Sequence, residues 1–347
     1  MNECPTQLRS EFAEWKRTMS NYREPSFWRA AWQLLNTLGG YFLVWCAIFL
    51  SLDISWWLTA PLAVLAGALL VRIFIIFHDC GHGSYFKSKR ANSFWGCVCG
   101  VLTFTPFFRW RRRHARHHVT SGNLDRRGTG DIWTLTVQEY LDASRWQRLA
   151  YRVVRNPLVL FVIGPLFLLL GIERVPSRQD MPRERRSVWW MNLAMLCMAV
   201  GLGAAFGFVN YLLIQLIVTM VAGSAGVWLF YVQHQFVGTY WARKGEWDYT
   251  AAALQGSSYY RLPKVLQWFS GNIGFHHIHH LNPSIPNYHL ERCHLASPFL
   301  RQVEPLTLLA SLKSLSLRLW DESEQRLVSY RHMHRSGPGM SDTANTC

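Results

Sequence analysis

Four long apolar blocks, separated by polar segments, dominate the pattern along this 347-residue chain. They cover residues 33–52, 54–77, 188–208 and 209–232. Each block reaches the roughly 20 residues that an α-helix needs to cross the hydrocarbon core of a bilayer. The pattern therefore predicts a polytopic, all-α membrane protein built on two transmembrane hairpins.

Two shorter apolar stretches, 94–108 and 157–172, complicate the count of spans. A helix as long as the second stretch extends about 24 Å, short of the roughly 30 Å hydrocarbon core. Gly164-Pro165 also interrupts that stretch, and the segment after it carries five arginines, which disfavour a crossing to the outside. We predict four transmembrane helices, with both stretches interfacial or re-entrant. A six-span arrangement remains the alternative.

The basic residues are distributed unevenly between the two ends of these blocks. The net charge is +15, and of 36 Lys and Arg, five precede the first block, 19 lie in 78–187 and 11 follow residue 232. Cytoplasmic loops of membrane proteins carry such an excess of Lys and Arg. The distribution predicts cytoplasmic termini and a cytoplasmic middle segment, and it explains the positive charge without nucleic acid as a partner.

The pattern divides the chain into six regions. These are a cytoplasmic N-terminal segment (1–32), a transmembrane hairpin (33–77), a cytoplasmic and interfacial region (78–187), a second hairpin (188–232), a cytoplasmic helical cap (233–335) and a disordered tail (336–347). The eight cysteines lie mostly in spans or in cytoplasmic regions, where disulfides are rare. We therefore expect no disulfide framework.

Histidines carry the candidate chemistry. Ten of the 14 histidines fall in four places, all on the predicted cytoplasmic side: HDCGH at 78–82, HARHH at 114–118, His234 and HHIHH at 276–280. Residues spaced i, i+3 and i+4 share one face of a helix, so each cluster can direct its imidazoles to one spot. His277 occupies a position that this spacing does not require. His289, His294, His332 and His334 show no such spacing, and we interpret them as ordinary residues.

The number of histidines indicates more than one metal ion. Imidazole suits iron, zinc, copper and nickel, so ligand type alone does not choose the metal. One four-coordinate zinc ion cannot use nine histidines, whereas two metal ions with four or five ligands each use nearly all of them. The sequence therefore predicts a two-metal centre at the cytoplasmic ends of the spans.

The clusters HDCGH, HARHH and HHIHH resemble the histidine boxes of the integral-membrane fatty acid desaturase and hydroxylase family. The flanking segments IFIIFHDCGHGSYFK, VWLFYVQHQF and GNIGFHHIHHLNPSIPNY are similar to the bacterial acyl-lipid desaturases, in particular the bacillus-type Δ5 phospholipid desaturases. The resemblance extends from about residue 30 to residue 330. It implies an O2-dependent enzyme of the bacterial plasma membrane, with a cytoplasmic site, that desaturates phospholipid acyl chains at two iron ions. Electrons would come from a ferredoxin- or flavodoxin-like donor.

The same resemblance assigns the metal ligands residue by residue. They are His78, His82, His114, His117, His118, His234, His276, His279 and His280. His234 matches an extra histidine that the family places just after a span. The split of these ligands between the two irons stays open.

Acidic and aromatic residues near the boxes are candidates for supporting roles. Metal-bound imidazoles commonly donate their second N–H to a carboxylate, which indicates Asp79, Asp125 and Asp131 as ligand-orienting residues. A helix cap or a surface Asp–Arg pair is the alternative for Asp125. Five aromatic residues are candidates for the wall of an acyl-chain tunnel, with membrane-belt or core packing as the alternative for each: Trp110, Trp133, Phe230, Tyr231 and Trp268.

The basic run RWRRRHAR at 109–116 has several possible roles. It can attract phospholipid headgroups, dock an acidic electron carrier, or only reflect the cytoplasmic charge bias.

Two functions besides desaturation stay open: a hydroxylase that uses the same boxes, and a membrane metal transporter or sensor. Transport sites lie near the bilayer midplane, whereas these histidines lie at span ends, so the sequence disfavours the transporter.

Overall fold

The computed structural model describes residues 15–128 and 130–333, and within them four helices are long and apolar enough to span a membrane. These are Phe27–Ser51, Trp56–His82, Pro182–Phe206 and Phe208–His234. The four-span, all-α prediction is confirmed. A fifth crossing arises only if the bent pair Arg145–Val154 and Val159–Arg174 counts as one span. The predicted tail at 336–347 and residues 1–14 lie outside the described residues.

The described part of the chain contains many short helices around these spans. The helices are α1 (Phe27–Leu34), α2 (Gly40–Ser51), α3 (Trp56–His82), α4 (Lys89–Leu102), α5 (Phe107–Thr120), α6 (Val137–Asp142), α7 (Arg145–Val154), α8 (Gly164–Leu170), α9 (Pro182–Phe206), α10 (Phe208–His234), α11 (Tyr249–Leu254), α12 (Lys264–Phe269), α13 (His276–Leu281), α14 (Asn287–Ala296), α15 (Pro298–Arg301), α16 (Leu308–Ser311) and α17 (Tyr330–Met333). Single π-helical turns at Leu35–Gly39 and Val159–Ile163 connect α1 to α2 and lead into α8.

Two small sheets connect segments outside the four spans, and the sequence pattern gave no sign of them. The strands are β1 (Leu135–Thr136), β2 (Tyr259–Tyr260), β3 (Pro305–Leu306), β4 (Leu319–Asp321) and β5 (Arg326–Val328). One sheet has the order β1-β4-β5, with β1 and β4 parallel and β4 and β5 antiparallel; the other pairs β2 with β3 in parallel. The parallel pairs therefore join segments that are far apart in sequence.

Two spans continue past their apolar blocks and carry histidines at their C-terminal ends. Helix α3 begins after Ser55, whose side chain accepts from the Trp57 N–H, and it ends at Gly83, which adopts a left-handed conformation (φ 73°). Its last turns contain the first histidine pair. Helix α10 likewise ends on His234. Because these helices are unbroken, the membrane spans directly position part of the metal centre.

Helix α3 lies at the centre of the bundle, where it packs against α2, α4 and α10. The contact with α10 is close: a Cβ atom on Gly67 would lie 2.6 Å from the Val221 Cβ atom. Buried apolar side chains on both helices, including Ile73, Ile76 and Val218, complete this core. The absence of a side chain at Gly67 thus sets the distance between the two helices that carry His78 and His234.

The two shorter apolar stretches form broken or bent helices, and their interfacial or re-entrant placement stays a prediction. The first belongs to α4 and the start of α5, with a break after Leu102. In the second, the chain bends by 62° between α7 and the segment Val159–Arg174. Pro165 packs against Gly223 of α10, and the Ser224 hydroxyl donates to the Phe161 carbonyl at 2.6 Å. This bent segment is therefore fixed against the fourth span.

We predict that Gly67→Ala destabilises the protein by about 1–3 kcal/mol, because the added methyl group overpacks the α3–α10 contact. Gly201→Ala in α9 is the matched control, since no atom lies within 4 Å of its added Cβ position. Alanine there should stabilise slightly, because glycine is a poor helix former. Thermal unfolding of both variants in detergent measures the difference. Equal midpoints would contradict the close packing at Gly67.

Candidate metal centre

Four elements bring nine buried or half-buried imidazoles together at one end of the bundle. Within the described residues they form two groups, in each of which the candidate ligand atoms lie within 4.8 Å of one another. One group contains His78, His82, His114, His118 and His279, and the other contains His117, His234, His276 and His280. We call these the five-histidine group and the four-histidine group. All nine histidines singled out in the sequence lie in this cluster.

Two of the three helices that carry a box, α5 and α13, contribute to both groups, whereas both box histidines of α3 lie in the five-histidine group. This corrects the expectation that the histidines of each box meet at one spot. On α5, His114 and His118 belong to the five-histidine group, whereas His117 belongs to the other. On α13 the i, i+4 pair His276 and His280 enters the four-histidine group, and His279 enters the other. Viewed along a helix, residue i+4 lies about 40° from residue i in one direction, whereas residue i+3 lies about 60° from residue i in the opposite direction. That offset separates the two groups.

Ring nitrogens converge closely inside each group. The Nε2 atom of His118 lies 3.1 Å from that of His114 and 3.0 Å from that of His279. In the four-histidine group, the Nε2 atom of His234 lies 3.2 Å from that of His117 and 3.0 Å from that of His276. Two nitrogens that bind one metal ion at about 2.1 Å each lie roughly 3.0–3.4 Å apart. The observed spacings match that arrangement.

The hydrogen bonds of the Nδ1 atoms determine which nitrogens can bind a metal. His234 Nδ1 lies 3.0 Å from the Gly256 carbonyl, and His117 Nδ1 lies 2.8 Å from Asp131 Oδ1. A carbonyl or a carboxylate only accepts, so each ring donates from Nδ1 and, while neutral, keeps a lone pair on Nε2. The two Nε2 lone pairs then face each other with no proton between them. A shared cation relieves this repulsion, so the residues fit a metal ion.

Burial keeps the imidazoles on α5 and α13 neutral, as metal binding requires. Desolvation, reinforced by the neighbouring histidines, lowers the pKa well below its ordinary value for His114, His118, His276, His279 and His280. In a low-dielectric interior a protonated imidazole is disfavoured, and five protonated neighbours would also repel one another. These five side chains are therefore neutral nitrogen donors at physiological pH.

Two of the three predicted acidic residues lie against ligands. Asp79 Oδ1 lies 3.0 Å from His78 Nδ1, and Asp131 Oδ1 holds His117 as described. Gly130 makes the second contact possible, because its positive φ of 75° turns the chain back and a Cβ atom there would lie only 3.2 Å from the His117 Cβ atom. Both carboxylates orient their imidazoles in the way that metal-bound histidines commonly need.

The prediction that Asp125 orients a ligand is wrong. Its carboxylate accepts from the Arg243 guanidinium and from the Lys244 backbone N–H, both at 2.8 Å. The turn after α5 leads Asp125 away from the histidines, and the Leu124 N–H donates to the Ala242 carbonyl of the neighbouring loop. These hydrogen bonds lower the pKa of Asp125, the Lys244 N–H most strongly. The residue forms a surface ion pair.

Sequence reasoning missed two amides that support Asp79. The second oxygen of Asp79 accepts from both the backbone N–H and the side-chain amide of Asn287, at 2.6 and 2.8 Å. Gln33 donates to the Asn287 side-chain oxygen at 2.8 Å. All three side chains are buried, and they connect α3, α14 and α1. Neither amide has a spacing or charge signal in the sequence, because the contact joins residues more than 200 positions apart.

Of the five aromatic candidates, two contact the histidines. Trp110 stacks on His114, with ring centroids 4.3 Å apart, and Phe230 lies 5.2 Å from His117 and 5.3 Å from His234. These two residues can border a substrate channel.

The other three aromatic residues do not contact the histidines, and their assignment to the wall of an acyl-chain tunnel stays a prediction. Trp133 lies half exposed against Tyr151, and the Tyr231 hydroxyl donates to the Ser314 carbonyl beside Phe161. Trp268 stacks on Arg72 at 4.1 Å. Aromatic character and nearness in sequence to a box did not distinguish the side chains that face the histidines from those that face the core or the surface.

His277 faces away from both groups, as the spacing predicted. Its ring lies 5.5 Å from that of His294 and 5.6 Å from that of Tyr259. Burial, with a further contribution from His294, lowers the pKa of His277 to about 3. Two other histidines outside the groups have local partners: His289 donates to the Tyr22 carbonyl, and His332 lies 3.1 Å from Glu324. His334 lies outside the described residues.

Comparison with known proteins identifies the family. The model of the fatty acid desaturase family matches residues 55–306, which include every histidine of the two groups. The chain belongs to the fatty acid desaturase family. It is therefore an oxidoreductase, and the boxes in its sequence are the histidine boxes of a desaturase.

Several curated proteins align with most of this desaturase. A fatty acid desaturase of Bacillus subtilis (strain 168) is 47% identical over 315 residues, which cover 91% of this chain and 90% of the relative. An sn-1 acyl-lipid omega-3 desaturase (ferredoxin) of Synechocystis sp. is 28% identical over 69% of this chain and 67% of its own length. An sn-1 oleoyl-lipid 12-desaturase of Picosynechococcus sp. is 26% identical over 73% of this chain and 72% of its own.

We predict that His279→Ala removes metal from the purified protein and abolishes desaturation, whereas the membrane-inserted fold persists. His277→Ala is the matched control, because the two buried histidines lie on the same helix and only His279 belongs to a group. Elemental analysis and size-exclusion chromatography of both variants measure metal content and folding. Loss of metal in His277→Ala, or its retention in His279→Ala, would contradict the grouping.

A second prediction concerns the Asp79 support. Asn287→Ala removes one of two donors to a buried carboxylate, and we expect metal affinity or activity to fall about 10- to 100-fold, as for other residues that hold metal ligands in place. Asn282→Ala is the control, since that side chain accepts only from the nearby Ser284 N–H. Metal titration of both proteins gives the comparison. Unchanged affinity in Asn287→Ala would show that Asp79 needs no such support.

Proposed function

We propose that this chain is an O2-dependent acyl-lipid desaturase that introduces a cis double bond into the acyl chains of membrane phospholipids. Two iron ions held by the five- and four-histidine groups would form its centre. The observation that carries this proposal is the set of nine convergent imidazoles divided between two groups. The family supports desaturation, and the ligand number supports two metal ions.

The reaction requires electrons from outside the substrate. Removing two hydrogen atoms from adjacent methylenes supplies two electrons, and reduction of O2 to two waters consumes four. The remaining two electrons and two protons come from a reduced carrier and from solvent, so that one C=C bond and two water molecules result. When bound, the iron ions supply the O2 chemistry that an unactivated C–H bond requires, which amino-acid side chains alone do not provide.

The side chains of this protein hold and shield the centre. Asp79 and Asp131 fix the ring orientation of His78 and His117 through their Nδ1 atoms. Trp110 and Phe230 cover parts of the two groups with apolar surface. An acyl chain that enters between them would be placed beside the metal ions by shape, and small displacements would change which methylenes react.

The relatives support the substrate and the donor. Two are named as ferredoxin-dependent acyl-lipid desaturases, from Synechocystis sp. and from the chloroplast of Arabidopsis thaliana. We infer a phospholipid substrate and a ferredoxin-type donor, with a flavodoxin-like protein as the alternative carrier. The charge distribution supports a bacterial plasma-membrane location with the centre and both termini in the cytoplasm. The flanking motifs support Δ5 as the position of the double bond.

Expression in a bacterial host without desaturases tests this function. With an adequate supply of reduced ferredoxin, the intact chain should produce new monounsaturated phospholipid chains, and His118→Ala, which removes one ligand of the five-histidine group, should produce none. Mass spectrometry after derivatisation of the double bonds locates their position. Hydroxylated chains instead would indicate the hydroxylase. An unchanged lipid profile with folded, metal-loaded protein would contradict acyl-lipid desaturation.

A further inference from the structure

The outward face of α5 presents a basic surface directly behind the five-histidine group. Its exposed residues are Arg111, Arg112, Ala115, Arg116 and Val119, whereas His114, His117 and His118 occupy the opposite, inward face of the same helix. We call these five residues the α5 outer face. A helix with its side chains is about 10–12 Å across. A protein bound to the α5 outer face would therefore lie one helix diameter from the metal ligands.

Two arginines of this face have no countercharge in the structure. Arg111 and Arg116 form no ion pair among the described residues, whereas Arg112 pairs with Glu184 at 3.0 Å. On the neighbouring face, Arg113 pairs with Glu173 at 2.8 Å. The basic run at 109–116 therefore has two parts: arginines that attach α5 to α9 and to the segment before it, and arginines that form no ion pair with any described residue.

The five-histidine group is also the more accessible of the two. His82 and His114 are half-buried, whereas the other seven histidines of the centre are buried. Both half-buried residues belong to the five-histidine group. Arg111 lies three residues before His114 and therefore beside it on the helix. Electrons that arrive at the α5 outer face would meet this group first.

The composition of this face differs from that of the helices that face lipid. Helix α12 exposes Val265 (67%) and Trp268 (41%), and α1 exposes Trp28 (79%), as expected for contact with a bilayer. Among the large apolar side chains of the α5 outer face, Val119 alone is exposed. One exposed apolar side chain surrounded by arginines suits a protein partner that binds transiently and is guided by charge.

We propose that the α5 outer face docks an acidic one-electron carrier protein of the ferredoxin type, with Arg111 and Arg116 as its charge contacts and Val119 near its centre. This inference rests on the proposed function, because it assigns the entry point for the electrons that desaturation consumes. The electrons pass from the reduced carrier across α5 to the five-histidine group.

The test compares two charge-reversal variants of the purified protein in nanodiscs. The first is Arg111→Glu with Arg116→Glu, and the second, the control, is Arg301→Glu with Lys313→Glu. The control residues are also exposed and basic, lie on other elements, and change the net charge equally. Affinity for an acidic [2Fe–2S] ferredoxin and the KM for its reduced form are measured at several salt concentrations. Turnover is also measured with dithionite-reduced methyl viologen, a small electron donor that needs no docking surface.

We expect the Arg111/Arg116 variant to raise the ferredoxin KM and Kd about tenfold at low ionic strength and to flatten their dependence on salt, because contacts between exposed charges steer association. The control variant should match the unmodified protein, and viologen-driven turnover should stay within about twofold in both variants. Equal effects in the two variants would overturn the docking site. A viologen-driven rate that changes with the anionic lipid content in the unmodified protein but not in the Arg111/Arg116 variant would also overturn it, because the face would then bind headgroups.

Two further measurements separate docking from other failures. If the Arg111/Arg116 variant loses metal, Arg111→Gln with Arg116→Gln replaces it, and an unchanged ferredoxin Kd in that variant overturns the proposal. If the unmodified protein is inactive with both donors, the proposed desaturation fails. The ferredoxin Kd of the α5 variants still decides whether the face binds an acidic carrier.

Discussion

Nine imidazoles must stay neutral and converge in a space from which water is largely excluded, and the rest of the structure depends on that constraint. Buried polar groups without partners are costly, so each ring must be held by a defined contact or by a bound ion. Short loops cannot supply such precision. The chain instead places the ligands at the ends of two unbroken spans and on two short helices packed against them. Close contacts such as the one at Gly67 therefore affect the centre from within the bilayer.

The i, i+3, i+4 spacing of the boxes links the two ligand groups mechanically. Because α5 and α13 each contribute to both groups, neither helix can shift without moving histidines of both groups. A set of boxes with i, i+4 pairs alone would allow each group to move separately. The i+3 histidines His117 and His279 therefore connect the two groups. They fix the distance between the groups, on which the proposed two-metal reaction with O2 would depend.

Residue type and spacing predicted the parts of this structure that local patterns determine. The four spans follow from apolar length, the convergence of the box histidines from their spacing, and the contacts of Asp79 and Asp131 from the chemistry of metal-bound imidazole. Contacts between distant segments were not predictable in this way. Asn287 reaches Asp79 across the fold, Arg243 captures Asp125, and the parallel strand pairs join segments with no local signal. A tertiary contact leaves no period in the sequence, and so these residues had no pattern to reveal them.

Helix α5 shows how one helix can keep the binding surfaces for an electron carrier and for a lipid substrate apart. Its inward face carries imidazoles, its outward face carries unpaired arginines, and its paired arginines bind Glu173 and Glu184 near the start of the third span. Aromatic and aliphatic side chains on α1 and α12 are exposed on other elements. In the proposed function, an acyl chain from the bilayer and the carrier protein would then approach one centre without competing for the same surface. Because α5 would lie between the carrier and the histidines, the electron-transfer distance would be set by the fold rather than by a mobile loop.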